Sequence, residues 1–186
     1  MKIAVIDTET NWADEVMSMG VALSDSAELR PLGGRYYVLT PEYMVGGMYS
    51  GVLRLKEPGR TMLCSRQEAL ENLQEWLKEQ KVQAIFAYNA RFDLTHLPEL
   101  ASYAWYDIMR VAPYRQYNPF IPAGADCCST GRLRRNYGVE ALLQMMTGHA
   151  SYRESHNALL DALDELTIMR LLGHDVNVYA PGRIRL

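Results

Sequence analysis

Apolar positions fall in short β-rich runs up to Thr40 and in longer helical periodicities after Ser65. Lys2-Ile3-Ala4-Val5-Ile6 is a continuous apolar run led by one Lys, the pattern of a central strand buried on both faces. Glu15 to Ser24 predicts a second strand, reached through the tight loop Asn11-Trp12-Ala13-Asp14. Pro31-Leu32-Gly33-Gly34 is a turn signal, and Arg35 to Thr40, rich in Tyr and Val, predicts a third strand. The short connections imply an antiparallel meander of strands one to three. Pro41 to Cys64 carries Gly46-Gly47, Gly51 and Pro58-Gly59 among Met44, Val45, Met48, Tyr49, Val52 and Leu53, with Arg54, Lys56 and Arg60 making it locally basic. It is expected to be irregular, either a functional loop or lid or a surface excursion with small apolar contacts of its own.

Ser65 and Glu68 stand at capping-box spacing, and Leu70, Leu73, Trp76 and Leu77 follow with helical periodicity, so a helix is expected to about Gln80. Val82 to Ala87 predicts a fourth strand, followed by a loop entering a short helix from Tyr88 to Leu97. Tyr103 to Asp107 predicts a fifth strand, and Ile108 to Tyr117 a short helix. One or two helices, broken at Gly138, are expected within Gly131 to Thr147. The last helix runs from Asn157 to about Leu172 and stops at Gly173, as a glycine just past a helix end does. These elements predict one α/β domain over residues 1–186, with a central five-stranded mixed sheet flanked by helices.

Composition narrows the function classes. Hydrophobic content of 48% and charged content of 22% mark a folded globular chain. A net charge of −3 argues against gripping nucleic acid through bulk positive field, while leaving room for a nuclease with an acidic centre. The three cysteines, at 64, 127 and 128, fit neither a disulfide framework nor a zinc knuckle and are expected to be reduced thiols in a cytoplasmic protein. The chain opens into a strand without a signal-peptide layout, and no apolar run approaches the ~20 residues that span a bilayer, so no membrane association is expected.

Candidate chemistry begins where the first strand ends, at Asp7-Thr8-Glu9-Thr10. Carboxylates at i and i+2 on extended chain point to one side, roughly 6.5–7 Å apart at Cα. Their repulsion turns favourable when a divalent cation sits between them; the alternative is a solvated turn. Asp93 follows the fourth strand, and Asp161 lies five residues beyond His156 on the otherwise apolar side of the last helix. On one continuous helix His156 and Asp161 would stand about 140° apart, so they converge only if His156 precedes the first turn, with Ser155 or Asn157 as the cap. Asp164 and Glu165 share that helix, with its solvated face as the alternative place for them.

Taken together, these residues resemble the DnaQ-like 3′–5′ exonucleases with four acids and a histidine, the DEDDh group of the ribonuclease H-like fold. The first motif is matched by Val5-Ile6-Asp7-Thr8-Glu9-Thr10, and the following strand loosely by Met19-Gly20-Val21-Ala22. The second is matched by Asn89-Ala90-Arg91-Phe92-Asp93-Leu94 and the third by His156-Asn157-Ala158-Leu159-Leu160-Asp161-Ala162. The motifs occur in the family's order and span nearly the whole chain. One departure is the family's Ile-His-Gly-Ile stretch, whose nearest counterpart is Tyr49-Ser50-Gly51-Val52, without the histidine.

The resemblance implies that Asp7, Glu9, Asp93 and Asp161 bind two Mg²⁺ or Mn²⁺ ions about 3.5–4 Å apart, for in-line phosphoryl displacement. It makes His156 the general base and nucleoside 5′-monophosphates the products. Thr8, Thr10, Asn89 and Phe92 become substrate-binding residues, Phe92 alternatively a core residue. Asp107 takes a supporting place rather than a metal position. Arg91, Arg110, Arg132, Arg134 and Arg135 are candidates for phosphate contacts or a solvated basic face. The implied substrate is a single-stranded 3′ end, DNA ahead of RNA. Alternatives inside the family are an RNase T- or oligoribonuclease-like RNA exonuclease and a catalytically inactive module that binds nucleic acid or a polymerase. A DNA polymerase partner and a homodimer are further implications. A haloacid-dehalogenase-like phosphatase shares the opening strand but wants Asp where Glu9 stands and leaves the His156 motif without a task.

Overall fold

The computed structural model describes residues 1–53 and 61–185. Burial on both faces sets the middle of the sheet: β1 (Lys2–Thr10) and β2 (Val16–Asp25) are apolar almost throughout and covered on either side. With β3 (Pro31–Leu39) they form the expected antiparallel meander. A short strand, β4 (Thr61–Cys64), then pairs parallel to β3. After α1 (Arg66–Glu79), β5 (Val82–Ala87) enters beside β1 and parallel to it. α2 (Ala90–His96) follows, and β6 (Ala104–Asp107) closes the far edge parallel to β5. The sheet therefore has six strands in the order β4-β3-β2-β1-β5-β6, where the sequence pattern predicts five. The missed strand is β4. Four residues at an edge, with Met62 and Leu63 facing solvent, leave no alternation for a pattern to detect. The basic residues Arg54, Lys56 and Arg60 lie outside the described residues.

Each face of the sheet has its own core. Ala4, Ile6, Val21, Tyr37 and Ile85 pack with Leu73, Trp76 and Leu77 of α1 and Leu94 of α2. Ser65 closes the capping box with Glu68 that the spacing predicts. On the other face, Ile3, Val5, Ala22 and Phe86 meet α3 (Val139–Thr147) and α4 (Ala158–Leu172). Of the one or two helices expected within Gly131 to Thr147, broken at Gly138, only the one after the break forms: α3 begins at Val139 with Gly138 as its N-cap. Residues 131–138 instead form turns and isolated bridges, with Arg132 reaching Tyr114 and Leu133 reaching Cys127. The helix expected from Ile108 to Tyr117 reduces to a 3₁₀ turn, Ile108–Arg110, with Asp107 as its cap.

One contact sets the depth of α4. Gly20 on β2 pairs with Asp7 on β1, and a Cβ at Gly20 would lie 2.1 Å from the main chain of Ala158 and Leu159. The first turn of α4 therefore rests backbone-to-backbone on the sheet, beside the C-terminal end of β1. Among the described residues no helix is long and apolar enough to cross a membrane.

Candidate active site

Strand alternation distributes the residues of the first motif. Asp7 and Glu9 continue the face of Ile3 and Val5, toward α4. A bulge between Glu9 and Thr10 re-aims the strand as it leaves the sheet. Thr8 continues the opposite face, is buried, and donates its hydroxyl to Asp93 Oδ1 at 2.8 Å. Asp93 comes from the first turn of α2 and is buried, since parallel pairing sets the ends of β1 and β5 side by side. Asp161, also buried, projects from the first turn of α4 and accepts from Ser155 Oγ at 3.3 Å. Ligand atoms of Glu9, His156 and Asp161 all lie within 4.8 Å of one another.

His156 reaches this point because it precedes α4, as the angular argument requires. It adopts left-handed backbone geometry, φ 53°, and Asn157 caps the helix by accepting from the Leu160 N–H at 3.4 Å. The imidazole is stacked on Tyr49, with ring centroids 4.0 Å apart and planes 15° from parallel.

The site is strongly acidic and poor in donors. Burial first, then Glu165, Asp93, Glu9 and Asp161, raises Asp7 well above the ordinary carboxylate range. Burial, followed by the charges of Asp161, Glu154 and Asp93, pushes Glu9 up to about 8. Burial pushes Asp93 to about 7 despite the Thr8 hydrogen bond, and Asp161 to about 7 with help from Glu154 and Asp164. Asp7 Oδ2 is sealed from solvent with no hydrogen-bond partner among the described residues. An orphaned carboxylate oxygen amid further carboxylates is costly unless a cation meets it. This set of hard carboxylate oxygens fits a divalent cation.

Glu165 overturns its expected place on a solvated face: it is only 2% exposed. Its Oε2 accepts the Tyr88 N–H at 3.0 Å, where the chain leaves β5 toward Asp93. Burial, then Asp93, raises its carboxyl well above the usual range. The available signal was its i+4 spacing from Asp161, which puts both acids on one helix face. Its neighbour Asp164 accepts the Tyr152 hydroxyl.

The remaining candidates line the edges. Asn89 is exposed in left-handed geometry, φ 67°, and its N–H donates to Asp107 Oδ1 at 3.0 Å. The same oxygen accepts the Met109 N–H at 2.9 Å, while Oδ2 lies 3.7 Å from Arg110 Nε. Phe92 is not a core residue: it is 38% exposed and leans on the His96 ring. His96 in turn meets Asp14 in the β1–β2 loop, next to the exposed Trp12. Thr10 is half-buried at the bulge. Arg134 and Arg135 both pair with Asp126, and Arg132 lies over Tyr137.

The strand order and the helices on both faces give an α/β fold shared with solved exonuclease domains. The nuclease domain of 3′hExo, a DEDDh family member bound to rAMP, superposes with a TM-score of 0.62 at 13% identity, over 91% of this chain and 90% of that one. A 3′-exonuclease in 3′-end-specific recognition of the histone mRNA stem-loop gives 0.63 at 13% identity, over 94% and 64% of the respective chains. The moderately thermophilic exonuclease I from Methylocaldum szegediense gives 0.57 at 19% identity, over 92% of this chain and 40% of its own. No protein-family model matches this chain, and no curated protein sequence does.

Proposed function

We propose that this protein is a metal-dependent 3′–5′ exonuclease that releases nucleoside 5′-monophosphates from single-stranded DNA or RNA, with DNA the first substrate to test. The observation that carries the proposal is the convergence of Glu9, His156 and Asp161 on one point, beside the sealed and orphaned Oδ2 of Asp7. Solved structures with this fold include 3′-exonucleases, which supports the same assignment.

Asp7, Glu9, Asp93 and Asp161 would hold two divalent ions, Mg²⁺ or Mn²⁺. Such ions would supply Lewis acidity and neutralise charge on the phosphodiester. His156 takes the proton from the attacking water as the new P–O bond forms, a role suited to imidazole near neutral pH. The bond from phosphorus to the leaving 3′ oxygen breaks, that oxygen takes a proton from solvent to become the new 3′ hydroxyl, and the terminal nucleotide departs with its 5′ phosphate. The main chain at Thr8 and Thr10 and the side chain of Asn89 position that nucleotide. Phe92, with Trp12 at 69% exposure, offers flat apolar surface for base stacking, which tolerates any sequence. The Thr8 hydroxyl is committed to Asp93 and acts by fixing that acid.

The deciding experiment is digestion of 5′-labelled single-stranded DNA and RNA with Mg²⁺ or Mn²⁺, beside EDTA and His156→Ala. The expected result is a metal-dependent ladder shortening from the 3′ end and lost in the variant, the faster substrate naming the preference. No ladder on either polymer would overturn the proposal in favour of a binding module.

A further inference from the structure

Tyr49 lies outside the three motifs that carry the acids and the histidine, yet its ring lies flat on the imidazole of His156. The segment that carries it is fastened on both sides of the site. On the β1 side, Asn11 Nδ2 donates to the Glu42 carbonyl at 3.0 Å and the Trp12 N–H to the Gly46 carbonyl at 2.9 Å. Gly47 passes so close to β1 that a Cβ there would lie 2.7 Å from the Thr10 carbonyl oxygen. Ser50 Oγ then bridges back to Gly47, accepting its N–H at 2.5 Å and donating to its carbonyl at 3.1 Å. On the α4 side, Asn157 Nδ2 donates to the Val52 carbonyl at 3.2 Å. Tyr49 thus sits on a strap that joins the end of Asp7–Thr10 to the residue following His156.

His156 needs such a partner. It stands outside the helix, and its neighbour Asn157 spends its side chain on the cap and on the strap. Groups facing the pair are Glu9 and Asp161 beside the imidazole and Glu154 near Tyr49, all of them acceptors. A parallel aromatic face fixes the plane of the ring.

We infer that Tyr49 is a positioning residue: its stacked ring holds the His156 imidazole in the plane from which one nitrogen meets the attacking water between Glu9 and Asp161. This rests on the exonuclease assignment above and adds to it a residue that acts through His156 rather than on the substrate. The strap includes Tyr49-Ser50-Gly51-Val52, the nearest counterpart in this sequence of the Ile-His-Gly-Ile stretch.

Two measurements test it. In metal-free protein, ring-current shielding should move the His156 ring C–H resonances upfield in wild type and Tyr49→Phe, and the shift should vanish in Tyr49→Ala and Tyr49→Leu. In single-turnover and steady-state digestion, Tyr49→Leu should lose roughly three- to tenfold in kcat with KM little changed, the scale of one aromatic stack. Tyr49→Phe should recover most of that loss. Circular dichroism and thermal midpoints accompany each variant, and Leu serves where Ala opens too large a gap. A loss confined to KM would mean that Tyr49 meets the nucleotide and would overturn the inference. So would equal loss in Phe and Leu, or resonances unmoved by substitution. Failure of the exonuclease assignment would look different: no ladder from wild type, whatever the spectra report.

Discussion

Asp107 and Asp161 are both buried carboxylates, but their partners separate them. Asp107 spends an oxygen on the N–H groups of Asn89 and Met109, pinning the turn that leads to Asp93. Asn at that position keeps an acceptor, so Asp107→Asn should retain partial nuclease activity, down about tenfold on the scale of groups that support metal ligands. Asp161→Asn removes charge from the convergent cluster and should lose activity by orders of magnitude. Equal losses in one digestion assay would contradict this ranking. The acids that sequence alone picked out were legible because each stands in a short local pattern: a strand end for Asp7 and Glu9, a strand-to-helix turn for Asp93, a capped helix start for Asp161. Glu165 was not, because an acid next to Asp164 on a helix looks solvated until the packing of α4 across β1 and β2 is known. Tyr49 was beyond reach for another reason: nothing near it in the chain announces His156.

At the scale of elements, the seat of α4 on β2 depends on a missing side chain. In a strand interior Gly→Ala ordinarily stabilises by roughly 0.5–1 kcal/mol. Gly20→Ala should instead destabilise by about 1–3 kcal/mol or more, since its Cβ would strike main chain that cannot rotate away. Urea unfolding should show the sign. Divalent-ion titration of the folded fraction should show weakened binding, because Asp161 and His156 are carried by the displaced turn. Unchanged unfolding midpoint and affinity would sink the claim. Periodicity found α1 and α4, whose caps and apolar faces are written in consecutive turns. It overran at residues 131–138, where apolar Leu133 serves an isolated bridge, and it missed β4, whose pairing with β3 comes from across an irregular excursion.

For the molecule as a whole, clustered acids make stability depend on pH in an unusual direction. Asp7, Glu9, Asp93, Asp161 and Glu165 all have raised folded-state pKa values. Protons are therefore held more tightly when folded, and stability falls as pH rises. In EDTA the contribution of this cluster is full below about pH 4, where unfolded carboxylates protonate. It is lost as pH climbs through about 7 for Asp93 and Asp161 and about 8 for Glu9. Mg²⁺ or Mn²⁺ should raise the thermal midpoint more at pH 8 than at pH 5, because ligation needs the deprotonated acids. Glu165→Gln should flatten the EDTA curve. A midpoint in EDTA that did not fall from pH 5 to pH 8 would refute the cluster as drawn. The backbone contact at Gly20 has a consequence of another kind. Spacing between the acid-bearing strand and helix is set by main chain against main chain, so it places a demand on one small residue and almost none on the side chains around it.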